Sequence, residues 1–300
     1  MAIWYIKRMD SQDEISLPKR ILLIPSIKQV QNFYIVTLPI KKNKELTIKT
    51  QERIGKILSK KIYEKQNQNI VLAKSLKLDT LQSVLYNNDL NILNGTWLFK
   101  YLVPQVIQYI SDVRGVDIHE MEVAVMVTEN SESTMKMLIE VAQNIKMLNI
   151  VTDDIDRFKA MEEYLFRNMG IVIRTTNNKK KGLLKSDLII NLDFKEALIN
   201  SYAIPKNGVI ININERITIK SKRFNGINCN SYSINLPNNK RVWFKQNSLI
   251  EDFEEKELYE SIVYTKKTYD AIKNELNGSK IEYLIGNNGK IREDEYKNLQ

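Results

Sequence analysis

Between residues 116 and 215 the chain alternates short, almost wholly apolar runs with amphipathic stretches, and this pattern leaves few folds open. The apolar runs are 122–127 (EVAVMV), 149–152 (NIVT), 171–175 (IVIRT), 187–191 (DLIIN) and 208–212 (GVIIN). Between the first two, Met135, Leu138, Ile139, Ala142 and Ile145 recur at helical spacing, and residues 156–165 form a second helical pattern that stops near Gly170. A strand that is apolar on both faces is covered on both faces, which is the signature of parallel pairing through crossovers. Crossovers of one hand then produce a doubly wound parallel sheet, with the expected order 3-2-1-4-5.

The region before it reads as mixed α/β. Residues 2–8, 19–26 and 32–40 are strand candidates, 46–66 has isoleucines at helical spacing, 69–76 is a short apolar strand, and 78–88 is a helix. Residues 94–114 form one long amphipathic pattern interrupted by Pro104, which is expected to kink or break it, and Gly115 is its stop. The expected organisation is therefore a mixed α/β domain over 1–93, a connecting helix over 94–115 and the doubly wound domain over 116–215. Residues 216–300 are expected as a strand and loop segment followed by a C-terminal helix, 248–276, that packs back on the body.

Composition narrows the chemistry. The chain has 300 residues, 43% of them hydrophobic, enough for two cores. One cysteine, Cys229, excludes an intrachain disulfide and a cysteine metal cluster, and one histidine, His119, excludes a histidine-rich metal site. There is no G-x-S-x-G elbow, and His119 precedes the first strand of the regular region, on its amino side. No apolar run approaches the length of a membrane span and no secretory h-region opens the chain, so a cytoplasmic location is the expectation. The net charge of +9 invites an anionic partner, although abundant lysine and asparagine with only 10 glycines also fits a generally solvated lysine surface.

The phrases KSDLIINLD (185–193) and IPKNGVIININ (204–214) are similar to the fourth and fifth strands of the dinucleotide-binding domain of the shikimate dehydrogenase and glutamyl-tRNA reductase families. The resemblance covers about a third of the chain. It implies a Rossmann-like domain behind a mixed N-terminal domain, with NAD(P) or another nucleotide as the class of cofactor. The chain departs from those families at the corner after the first strand, where Thr128–Thr134 reads TENSEST and lacks the glycines that let a backbone approach a pyrophosphate. Glu129 brings a carboxylate to that place. The catalytic Lys–Asp pair of the first family has no recognisable motif here, and the cysteine nucleophile of the second has no counterpart, Cys229 being expected beyond the sheet.

Each candidate site residue has two readings. Ser131, Ser133 and Thr134 open a helix, where hydroxyls and free N–H groups suit either a phosphate or ordinary capping. Asp153 and Asp154 lie 22 and 23 residues past Ser131, the place of a ribose-binding acid, or they favour the start of the next helix. Lys179, Lys180 and Lys181 form a turn at the carboxyl edge that either grips an anion or is solvated. Asp193 ends the fourth strand and either orients a substrate or caps the following helix. Three functions remain open: a binding or regulatory protein for a nucleotide or other anionic small molecule, an NAD(P)-dependent oxidoreductase, and, less favoured, a basic protein associated with nucleic acid.

Overall fold

The computed structural model describes residues 2–10, 18, 22–65, 68–297 and 299. The chain divides into two compact units. One comprises Met1–Gly95 with Leu236–Thr265, and the other Thr96–Asn235 with Lys266–Gln300. Among the described residues no helix is long and apolar enough to cross a membrane.

The first unit is built on five strands: β1 (Ile3–Met9), β2 (Ser26–Val30), β3 (Phe33–Lys41), β4 (Asn69–Leu72) and β5 (Asn91–Ile92), in the order β2-β3-β1-β4-β5. Every residue of β1 is buried, as its central place between two parallel neighbours requires. Of the strand expected over 19–26, residues 19–21 lie outside the described residues, and β2 begins only at Ser26. The helix Ile48–Tyr63 starts where Thr47 accepts the N–H of Thr50 and buries Ile54, Leu58 and Ile62. The C-terminal segment contributes the helices Asn238–Gln246 and Glu255–Val263 to this unit. There Tyr5 on β1 meets the Ser261 hydroxyl at 2.7 Å.

The second unit carries an eight-stranded sheet of β6 (Glu122–Met126), β7 (Met147–Val151), β8 (Ile173–Thr176), β9 (Leu188–Asn191), β10 (Val209–Asn212), β11 (Ile227–Asn235), β12 (Lys280–Gly286) and β13 (Gly289–Lys290). The order is β13-β12-β11-β10-β9-β6-β7-β8. The five predicted strands are all present, all parallel, and in the predicted order. The fold is thus a Rossmann-like, doubly wound α/β sheet, continued by a sixth parallel strand, β11, and an antiparallel hairpin, β12–β13. Cys229, expected beyond the sheet, lies in β11 and is buried, which pushes its thiol up to about 12.

Helices Glu132–Asn144 and Asp156–Met169 form the crossovers β6–β7 and β7–β8. Crossovers of one hand place both on the same face of the sheet. The opposite face is covered mainly by connecting segments: Ala124, Met126, Ile189 and Ile210 of the strands pack against Leu183, Phe194, Ile199, Tyr202 and Ile217. Two helical expectations divide. The pattern over 94–114 is broken at Leu102 into helices Thr96–Tyr101 and Val103–Arg114, with Pro104 in the first turn of the second, where its missing N–H costs nothing. The pattern over 248–276 becomes Glu255–Val263 and Tyr269–Leu276. Gly115 and Gly170 end their helices in the left-handed conformation, at φ 64° and 68°.

Candidate functional site

In a doubly wound sheet, ligands gather at the carboxyl edge where the strand order reverses, here between β6 and β9. The corner after β6 is where a dinucleotide-binding domain receives its pyrophosphate, and in this chain the corner is occupied from within. Asp193, two residues past the end of β9, takes the Thr128 N–H on both carboxylate oxygens, at 2.8 and 3.0 Å. The same carboxylate accepts the Thr128 hydroxyl at 2.9 Å and the Glu129 N–H at 2.8 Å. The corner's first two amides thus hold an internal anion. Strand pairing carries Asp193 there, because β6 and β9 are adjacent and in register, with Met126 opposite Asn191.

The other hydroxyl candidates sit together but serve the helix. Ser131 is the N-cap of Glu132–Asn144, accepting the Thr134 N–H at 3.3 Å. Its hydroxyl also meets those of Ser133 at 3.1 Å and Thr134 at 2.8 Å, and Thr134 is fully buried. The charge around the corner is acidic. Glu129 pairs with Lys100 at 3.2 Å and Glu132 with Lys136 at 2.9 Å, so two nearby cations are already engaged. A pyrophosphate at this place meets Asp193, Glu129 and Glu132 in a small volume, and like charges at such range are costly.

Asp153 and Asp154 follow the end of β7 at Val151 and the buried Thr152. The Asp154 N–H goes to the Thr152 hydroxyl at 3.3 Å, and its carboxylate pairs with Arg157 at 2.6 Å. Asp153 is exposed. Lys179, Lys180 and Lys181 are exposed on a turn organised by Asn178, whose side-chain oxygen accepts the N–H groups of Lys180 and Lys181, each at 3.0 Å. The Lys179 carbonyl accepts the Ala203 N–H at 2.7 Å, and its ammonium lies 6.0 Å from the centre of the Tyr202 ring. Burial, with the Asp153 carboxylate adding to it, raises the Tyr202 phenol above its ordinary value. Lys179 and Asp153 therefore both border Tyr202, while Asp193 and the Ser131 cluster belong to the corner.

Two features of this edge went unrecognised in the sequence. One is Tyr202, whose buried hydroxyl has no hydrogen-bond partner among the described residues. The other is an asparagine ladder across successive strand ends. Buried Asn191 meets Asn212 at 3.3 Å and holds the Phe194 backbone through both its amide atoms. Asn212, fully buried, donates to the side chains of Asn228 at 2.8 Å and Asn230 at 2.9 Å. Asn230 in turn accepts the Ile217 N–H and donates to Asn287. The signal was present as Asn191, Asn212 and Asn230, an asparagine recurring on β9, β10 and β11. The ladder fixes the loops that cover the carboxyl edge.

The first unit has its own polar groups. Arg8 donates to the carbonyls of Lys42, Lys44 and Ser75, tying the ends of β1 and β3 to the turn after β4. Lys77 bridges Glu254 at 2.8 Å and the buried Glu257 at 2.5 Å. Burial pushes the Glu257 carboxyl up to about 7 against the opposing pull of Lys77.

No protein-family model matches this sequence. No curated protein matches it either. Among solved structures it is similar to L-tryptophan dehydrogenase from Nostoc punctiforme, at 9% identity over 92% of this chain and 80% of that one, with a TM-score of 0.33. It is similar to one of the subunits of dipicolinate synthase from Bacillus halodurans at 14% identity over 59% and 57%, TM-score 0.32. A third is a putative aspartate carbamoyltransferase from Leishmania major Friedlin, at 11% identity over 71% and 72%, TM-score 0.29. Likenesses of this size carry no argument about activity, and the topology of the sheet stands on its own strand order.

Proposed function

We propose that this chain is a binding or regulatory protein on a Rossmann-like sheet, taking a small anionic ligand at the carboxyl edge rather than a dinucleotide at the corner. The observation that carries the reading is the Asp193 carboxylate on the amides of Thr128 and Glu129. A corner already holding its own anion, with Glu129 and Glu132 beside it, offers a pyrophosphate repulsion in place of free donors. The positive charge at this edge lies instead on Lys179, Lys180 and Lys181, close to Tyr202 and away from that acidic cluster. A turn of exposed lysines gives an anion point charges and few fixed donors, which suits a small phosphate- or carboxylate-bearing molecule held without catalysis. Thermal-shift measurements with NAD, NADP, nucleoside phosphates and small carboxylates test this. Stabilisation by mononucleotides or small anions but not by the dinucleotides supports the reading. Stabilisation by NAD or NADP overturns it in favour of the oxidoreductase.

A further inference from the structure

A second cleft lies at the opposite, amino edge of the eight-stranded sheet and contains the chain's only histidine. It is formed where helix Val103–Arg114 packs beside the C-terminal half of helix Glu132–Asn144, and the turn Ile118–Glu120 closes one end. Its volume is about 330 Å³, at the small end of the range for ligand sites. The floor is apolar, made by the buried Ile107, Val141 and Ile145. The polar lining includes Gln105, His119 and Glu140.

Two properties define what fits. Gln105 presents an amide oxygen that is withdrawn from solvent and has no hydrogen-bond partner among the described residues, a costly state for an acceptor that a donor would relieve. Among the described residues the lining has no lysine or arginine, although the chain carries a net charge of +9. The Glu140 carboxylate is shared between the Tyr269 hydroxyl at 2.8 Å and Lys273 at 2.7 Å, so the rim is near neutral and gives an anion no free counter-charge. We propose that this cleft binds a small molecule with an apolar body and one hydrogen-bond-donating head, of the primary-amine class. The body rests on Ile107, Val141 and Ile145, and the head donates to Gln105. This site is separate from the anion-binding edge and does not depend on it.

Because His119 is the only histidine, its two ring C–H resonances report on this cleft without assignment ambiguity. Benzylamine, ethylbenzene and benzoate are titrated in turn into the full chain at constant pH. A saturable shift of the His119 resonances with benzylamine, a weaker one with ethylbenzene and none with benzoate supports the proposal. The variant Gln105→Leu, which removes the acceptor at similar volume, is expected to weaken benzylamine by about fivefold, the worth of one hydrogen bond. No saturable shift at millimolar benzylamine overturns the proposal, as does equal binding of benzoate or unchanged affinity in a folded Gln105→Leu. If that variant does not fold, the ranking of the three ligands on the unsubstituted chain decides.

Discussion

The Asp193 carboxylate receives the Thr128 backbone N–H at 2.8 Å and its hydroxyl at 2.9 Å, joining the ends of two strands that are 65 residues apart in the chain. An interaction of this kind should matter for stability as well as for binding. Replacing Asp193 with Ala leaves the amides of Thr128 and Glu129 without their charged acceptor, and since both are open to water the expected loss is about 1–2 kcal/mol in denaturant unfolding. Asp193→Asn, which keeps one acceptor oxygen, should lose less. Equal stability of all three proteins would show that this carboxylate does not hold the corner.

The lysine turn predicts a separation between stability and binding. Lys179→Ala, Lys180→Ala and Lys181→Ala combined should change unfolding stability by less than about 0.5 kcal/mol, because exposed lysines contribute little to folding. The same triple variant should bind any anion found by the thermal-shift screen more weakly and with a shallower salt dependence. Should that anion be a nucleic acid, the slope of log affinity against log salt would fall by up to about 0.9 for each phosphate that the variant no longer neutralises. Unchanged affinity and slope would make the turn a solvated loop and remove it from the site.

The asparagine ladder makes a stronger claim on the fold. Asn212→Ala removes a fully buried amide and strands the acceptors of Asn228 and Asn230, so a loss of about 2–4 kcal/mol is expected from denaturant unfolding. A loss below about 1 kcal/mol would mean that the loops at the carboxyl edge are held elsewhere.

In the first unit, Glu257 sets a pH dependence with a definite sign. Its carboxyl rises from an ordinary 4.5 to about 7 on folding, so between those values the folded state binds more protons than the unfolded one. Stability contributed at this residue is therefore present below the unfolded value and lost as pH rises towards 7. Over that window the stability of the native protein relative to Glu257→Gln should fall by up to about 3 kcal/mol, an upper bound given the salt bridge to Lys77. A flat difference between the two proteins from pH 4.5 to 7 would contradict it.

Much of the second unit was legible because its strands announce themselves. EVAVM, LIIN and VIIN are apolar at every position that two covered faces demand, and their alternation with helical spacing determines parallel order. The sixth strand was harder to read because INCNSYSIN alternates polar and apolar residues, as a strand near the antiparallel margin does, and its asparagines resemble turn signals. Pro104 was readable as a break, but periodicity alone did not show that it begins a second helix. Asp193 was read from its local context as either a cap or a substrate-orienting acid. Its actual partners, Thr128 and Glu129, come from strand adjacency, which no local pattern encodes. Likewise, nothing local to Lys179 pointed to Tyr202 as its neighbour.

The most direct test of the closed corner is isothermal titration calorimetry of the full chain with NAD and with NADP. With Asp193 on the amides of Thr128 and Glu129, neither cofactor should produce a measurable binding heat at millimolar concentration. Micromolar binding of either one would contradict the account, because a pyrophosphate would then have displaced the carboxylate or found donors that this corner does not offer.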